Sequence, residues 1–162
     1  MIFVEIKLKR FKLPNRKKLI IHTNVLEYFS SFRQLLDSVS ENGGFLLGYQ
    51  NRYNDSIIID DLTLPQSNDI KNPISFFLKD KRHFKKMRKS KRKESFFLGT
   101  WHTHPQDFVN PSYIDISDWI ESVKKEKASA DFMVFIIVGR RELGVWVANK
   151  DQQLIRILEE ND

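Results

Sequence analysis

Apolar residues in this chain recur with two different periods, and the switches between them mark the elements. Phe3-Val4-Glu5-Ile6-Lys7-Leu8-Lys9 alternates nearly one for one, the period of a half-buried strand, which is expected over residues 2–9. Lys18 to His22 reads as a second short strand. Thr23 is placed to cap a helix in which Val25, Phe29, Phe32 and Leu36 share one face, widened by Leu26, Leu35 and Val39. Gly43 and Gly44 end the next turn. Phe45–Tyr49 and Ser56–Leu64 then make a hairpin across Asn51–Asp55, Pro65–Pro73 reads as loop, and Ile74–Leu78 as a short strand.

The second half opens on Phe96 to Trp101, an apolar or small run that reads as a buried strand. Pro111 and Ser112 look like a helix start, with Ser112 at the N-cap and Ile116, Trp119, Ile120 and Val123 forming an apolar stripe. Phe132–Gly139, Gly144–Asn149 and Gln153–Leu158 form a closing meander of three strands. Without a repeat or a linker, this order predicts a single-domain, mixed α/β layer structure over residues 1–162.

Composition narrows the chemistry. The 162 residues, 41% of them hydrophobic, suffice for one domain with a real core. There is no cysteine, which excludes thiol catalysis, disulfides, cysteine zinc sites and the deaminase type of zinc centre. No apolar run approaches membrane-spanning length and the N-terminus lacks a signal-peptide core, so a cytoplasmic protein without membrane contact is expected. Trp101, Trp119 and Trp146 are expected in the core, and Gly43-Gly44 lacks what a phosphate loop needs.

The net charge of +6 is concentrated. Lys79 to Glu94 holds ten of the 27 basic residues against two acids, a local +8 that leaves the rest of the chain at −2. Phe77, Phe84 and Met87 recur there near helical spacing, so a basic helix docked by a thin apolar edge is expected. Such a face can be merely solvated, or can meet an acidic protein or a nucleic acid.

Candidate chemistry lies at Trp101-His102-Thr103-His104-Pro105. Two histidines spaced by one residue at a strand end share a face of the pleat, and Asp115 falls in the first turn of the following helix. Two imidazole nitrogens and a carboxylate form the three-ligand, open set of a catalytic Zn2+. Taken alone, Ser112 and Asp115 are equally a capping box. His22 and His83 lack ligand-spaced partners and are read as structural or surface residues.

His-x-His, seven residues, Ser, two residues and Asp resembles the JAMM motif of the JAB1/MPN/Mov34 zinc metalloproteases. Ser40-Glu41-Asn42-Gly43-Gly44-Phe45 resembles the upstream glutamate element of its bacterial form. The resemblance spans residues 39–123 and implies an MPN (JAB) fold with a mixed curved central sheet flanked by helices. It makes His102, His104 and Asp115 the metal ligands and Glu41 the general base. It gives the Ser112 hydroxyl to the oxyanion of the tetrahedral intermediate, a role that competes with capping. It also implies isopeptidase or peptidase activity at the C-terminus of a ubiquitin-like protein.

Leu98-Gly99-Thr100-Trp101-His102-Thr103-His104-Pro105, with Phe135–Arg140 downstream, looks like the small bacterial members found with ubiquitin-transfer-like enzymes in antiphage operons. These are the CBASS isopeptidases that accompany cGAS-like nucleotidyltransferases. The implied partners are a ubiquitin-like tail or a conjugated nucleotidyltransferase as substrate, and an activating- or conjugating-enzyme-like protein. Residues 79–94 would be a basic helical insertion. The alternatives are a catalytically silent MPN scaffold and a nucleic-acid-binding module using the basic helix.

Overall fold

The computed structural model describes residues 7–34, 40–72, 75–77, 80–151 and 153–161. In chain order they form β1 (Lys9–Lys12), β2 (Lys18–Ile21), α1 (Thr23–Ser31), β3 (Gly43–Gln50), β4 (Ile57–Leu62), β5 (Ile70–Asn72) and β6 (Ser75–Phe77). There follow α2 (Lys81–Lys91), β7 (Phe96–Thr103), α3 (Tyr113–Lys125), β8 (Met133–Val138), β9 (Leu143–Ala148) and β10 (Leu154–Ile157). Eight strands make one sheet in the order β1-β2-β4-β3-β7-β8-β9-β10, and β5 pairs with β6 apart from it. Only β2 with β4 and β7 with β8 run parallel.

The sheet curls until its edges meet. Phe11 bridges Glu159, the Lys12 N–H donates to the Leu158 carbonyl at 3.2 Å, and the Glu160 N–H donates to the Arg10 carbonyl at 2.7 Å. Among the described residues, these contacts cover both edge strands of the large sheet, β1 and β10.

β8 shows how the two faces are covered. All six of its residues are buried. Val134, Ile136 and Val138 join a cluster with Val25, Leu26 and Phe29 of α1, while Met133, Phe135 and Ile137 pack with Trp119 of α3. A strand covered on both sides reads as an unbroken apolar run, as this one does. Trp101, Trp119 and Trp146 are all buried in these clusters, as expected from their apolar neighbours.

Several expected boundaries move, each for a local reason. The strand expected over 2–9 falls mostly outside the described residues, and the first described strand begins at Lys9. At α1 it is His22, extended and without a side-chain bond, that occupies the N-cap, so Thr23 is already helical. Its carbonyl accepts both the Val25 and Leu26 N–H groups. The helix stops at Ser31 with Phe32 as C-cap. The Arg33 guanidinium then binds the Arg140 carbonyl at 3.2 Å and Gln34 is fully buried, which draws the chain off the helix axis. Leu35, Leu36 and Val39 lie outside the described residues.

Gly43 and Gly44 open β3 instead of ending a turn. A side chain on Gly44 would put its Cβ 2.0 Å from the Thr63 carbonyl oxygen, so only glycine allows that approach. Within the expected loop 65–73, Ile70–Asn72 pairs with Ser75–Phe77. Phe77 is therefore in a strand and not on the basic helix. Asp80 caps α2 by accepting the Arg82 N–H, which starts the helix beyond it.

Candidate metal centre

Strand pairing brings residues sixty positions apart to one spot. β3 and β7 are antiparallel with Gly43 opposite His102. One step further, Asn42 donates its N–H to Thr103 Oγ1 and accepts the Thr103 N–H, each at 2.9 Å. Continuing that register sets Glu41 across from His104. Side chains of directly paired residues share a face, so Glu41, His102 and His104 converge on one side of the sheet. The strand runs through Thr103, so His102 lies within it and His104 just beyond it, two residues apart as expected.

α3 closes the site from above that face. Ser112 is its N-cap with a complete capping box to Asp115. The box leaves both Asp115 oxygens facing the histidines: Oδ1 is 3.1 Å from His102 Nε2 and Oδ2 is 3.1 Å from His104 Nε2. The two Nε2 atoms are themselves 3.1 Å apart. Glu41 Oε1 stands slightly farther off, 3.6 Å from His104 Nε2. Glu41, His102 and His104 are buried, and one potential ligand atom from each lies within 4.8 Å of the other two. The 3.1 Å separations among the two Nε2 atoms and the Asp115 oxygens fit one small ion, since a tetrahedral site with bonds of about 2.0 Å has edges of about 3.3 Å.

The electrostatics separate the two carboxylates. Burial pushes Glu41 up to about 8, with His104 opposing and Asp115 reinforcing the shift. Asp115 feels the same burial, but its hydrogen bonds with His102 and His104 outweigh it and hold the carboxyl well below the usual range. For His104, burial favours the neutral ring, yet the hydrogen bond to Asp115 and nearby negative charge prevail and raise its pKa. One acid is kept protonated and the other ionised, a division typical of sites that must both bind a cation and move a proton.

Two contributors were not legible in the sequence. Gln106 Oε1 lies 3.1 Å from His104 Nδ1 and accepts the Asn110 N–H at the same distance. An amide oxygen there is an acceptor for an Nδ1–H, the arrangement that would leave Nε2 available to an ion. The other is His83, fully buried although it sits in the basic run. Its Nε2 is 2.6 Å from Asp69 Oδ2 and its Nδ1 is 2.6 Å from Thr63 Oγ1. Thr63 in turn accepts the Phe45 N–H and, through its carbonyl, the Trp101 indole N–H. The network ties α2 to the strands that carry Glu41 and His102. No sequence spacing signals it, because its members come from a loop, a strand end and a helix.

Comparison with known proteins shows the family to which this fold belongs. Residues 25–153 match the family model described as prokaryotic homologs of the JAB domain. A protein of Escherichia coli (strain TW11681) named CD-NTase/cGAS isopeptidase is 30% identical over 143 residues, 86% of each chain. Proteins of the same name from Vibrio cholerae and Pseudomonas aeruginosa are 26% identical over 92% of each chain and 32% identical over 80% of this chain, respectively. The solution structure of a Desulfitobacterium hafniense protein, 19% identical, superposes with a TM-score of 0.57 over 88% of each chain, a likeness of fold alone. With the family model covering most of its length, the chain belongs to the prokaryotic homologs of the JAB domain.

Proposed function

We propose that this protein is a zinc-dependent isopeptidase that releases a protein from a conjugate made by a ubiquitin-transfer-like system in antiphage defence. The relatives' shared name points to a conjugated cGAS-like nucleotidyltransferase as the substrate. The observation that carries the reading is the convergence of His102, His104 and Asp115 at 3.1 Å, with the buried Glu41 carboxyl 3.6 Å from His104.

His102, His104 and Asp115 would hold the ion. When bound, zinc supplies a Lewis acid for the scissile carbonyl and lowers the pKa of water from about 15.7 to about 7. Glu41, buried and next to the ligands, takes a proton from the attacking water and returns it to the departing lysine nitrogen. The amide C–N bond breaks, a C–O bond forms, and the products are a carboxylate and an amine. Positive charge among the ligands would draw the Glu41 pKa down from its buried value, toward the range where a general base works best.

Ser112 can serve two ends. Its oxygen accepts the Asp115 N–H at 3.0 Å, which leaves the hydroxyl proton free to donate to the developing oxyanion. Capping and catalysis therefore use different parts of the same hydroxyl. Gln106 keeps His104 in the tautomer that presents Nε2.

The test is hydrolysis of a purified nucleotidyltransferase conjugate joined through a lysine isopeptide. Cleavage that stops on chelation and returns with zinc supports the reading. An intact conjugate after incubation with fully zinc-loaded protein overturns it.

A further inference from the structure

Two cavities open side by side next to the candidate metal centre. The near one, about 200 Å³, is lined by His102, Asp115, Trp119, Asp118 and Glu126, among others. The far one, about 420 Å³, has walls of Met87, Phe96 and Phe97 and a rim of Arg88, Lys91 and Lys127. Phe45, Phe84 and Glu126 line both, so they are two chambers of one groove between α2 and α3, floored by β3 and β7.

The polarity of the groove changes along its length. Beside the proposed metal ligands His102 and Asp115 it presents two further carboxylates, Asp118 and Glu126. At the far end it presents three cations around an apolar chamber, against the single carboxylate of Glu126 at the junction of the two. Among the described residues, no ion pair neutralises Arg88, Lys91 or Lys127, whereas Lys86 is paired with Asp61 at 3.1 Å and Arg82 with Asp80 at 2.7 Å.

Resting on the isopeptidase reading, we infer that this groove selects a polypeptide segment flanking the scissile amide. The segment is uncharged next to the bond, carries one large apolar side chain for the far chamber, and is acidic around that anchor. A volume of about 420 Å³ admits such a side chain with its backbone, being within the range of about 300–1,000 Å³ typical of ligand sites.

A nucleic acid fits the same groove poorly. Phosphates running toward the metal centre would meet Asp118 and Glu126. An acidic peptide whose charges stop at the far chamber avoids Asp118 and meets three cations against the one carboxylate of Glu126.

The measurement is fluorescence anisotropy with zinc-loaded Glu41→Gln protein at about 0.15 M salt, so that only charges in direct contact count. The probes are a fluorescein-labelled ten-residue Gly/Ser peptide with one Leu flanked by Glu, its Leu→Ser and Glu→Lys versions, and a twelve-nucleotide oligo(dT). We expect the Leu/Glu peptide to bind at least about tenfold tighter than either altered peptide or the oligonucleotide, the change a few lost contacts produce. Reversing Arg88, Lys91 and Lys127 to Glu should remove that preference. Reversing Lys85 and Lys89, which line a separate cleft on the other face of α2, should change it by less than about twofold.

Equal binding of acidic and basic peptides, an equal effect of the Lys85/Lys89 control, tighter binding of the oligonucleotide, or no saturable peptide binding each overturns the inference. Thermal melting of each variant confirms that the fold is retained. Capture is read without turnover, so a failure here is distinct from a failure of the conjugate-cleavage test.

Discussion

Ser112 and Asp115 hold one another across the first turn of α3: the Ser112 hydroxyl oxygen accepts the Asp115 N–H at 3.0 Å, and Asp115 Oδ2 accepts the Ser112 N–H at 2.8 Å. The same Oδ2 is 3.1 Å from His104 Nε2. A helix cap and a proposed metal ligand are one carboxylate, so the fold of α3 aims the group that would bind the ion.

That sharing separates two substitutions. Asp115→Asn keeps an acceptor for the Ser112 N–H and should melt within about 1 kcal/mol of wild type, the scale of a cap. Its zinc affinity, read by competition with a chromogenic chelator, should fall at least about tenfold because a neutral amide is a poor ligand. Ser112→Ala should lose about 1 kcal/mol of stability yet keep its zinc. Unaltered zinc affinity in Asp115→Asn would remove Asp115 from the ligand set.

Glu41→Gln should retain zinc and lose turnover by about 10²–10⁴-fold, the usual contribution of a general base. Metal content by elemental analysis and cleavage of the conjugate measure the two separately. Loss of zinc together with activity would make Glu41 a ligand, not a base.

The Glu41 shift also predicts a pH dependence in protein stripped of metal. Its carboxyl rises from 4.5 to about 8 in the fold, mainly by burial. Below pH 4.5 both states hold the proton and no stability is lost. Between 4.5 and 8 the unfolded chain releases it while the fold keeps it, so stability falls as pH rises and the loss is complete above 8. The loss should be on the order of a few kcal/mol in urea titrations, and smaller in Glu41→Gln. A pH profile identical in the two proteins would contradict the shift.

Gln106→Ala frees the His104 ring to change tautomer, and zinc affinity should drop by about 10–100-fold, as when a partner behind a ligand is removed. Gln106→Glu, which still accepts the Nδ1 proton, should recover most of it. If Ala and Glu behave alike, the contact at 3.1 Å does not orient the ring.

His83→Ala leaves Asp69 buried without its 2.6 Å partner and should cost about 3 kcal/mol, seen as a lower melting temperature. Neither His83 nor its direct partners belong to the proposed ligand set, so zinc stoichiometry should be retained in the folded protein. A variant as stable as wild type would show that the network is dispensable.

The sequence on its own carried most of the elements and the candidate ligands, because both rest on short-range pattern. An apolar run such as 132–139 must be a covered strand, and His102, His104, Ser112 and Asp115 follow one another at spacings that a strand end and a helix start translate directly into direction. It misplaced what long-range packing decides. α1 ends at Ser31 because Arg33 and Gln34 find partners near residues 103 and 140, and Phe77 joins a strand because Asp80 starts the helix after it. Tertiary structure alone brought Glu41 opposite His104, set Gln106 behind the ring, buried His83 against Asp69 and opened the groove between α2 and α3. Each of these depends on strand register or on contacts between elements, where the partner is chosen by the whole fold and not by the neighbouring residues.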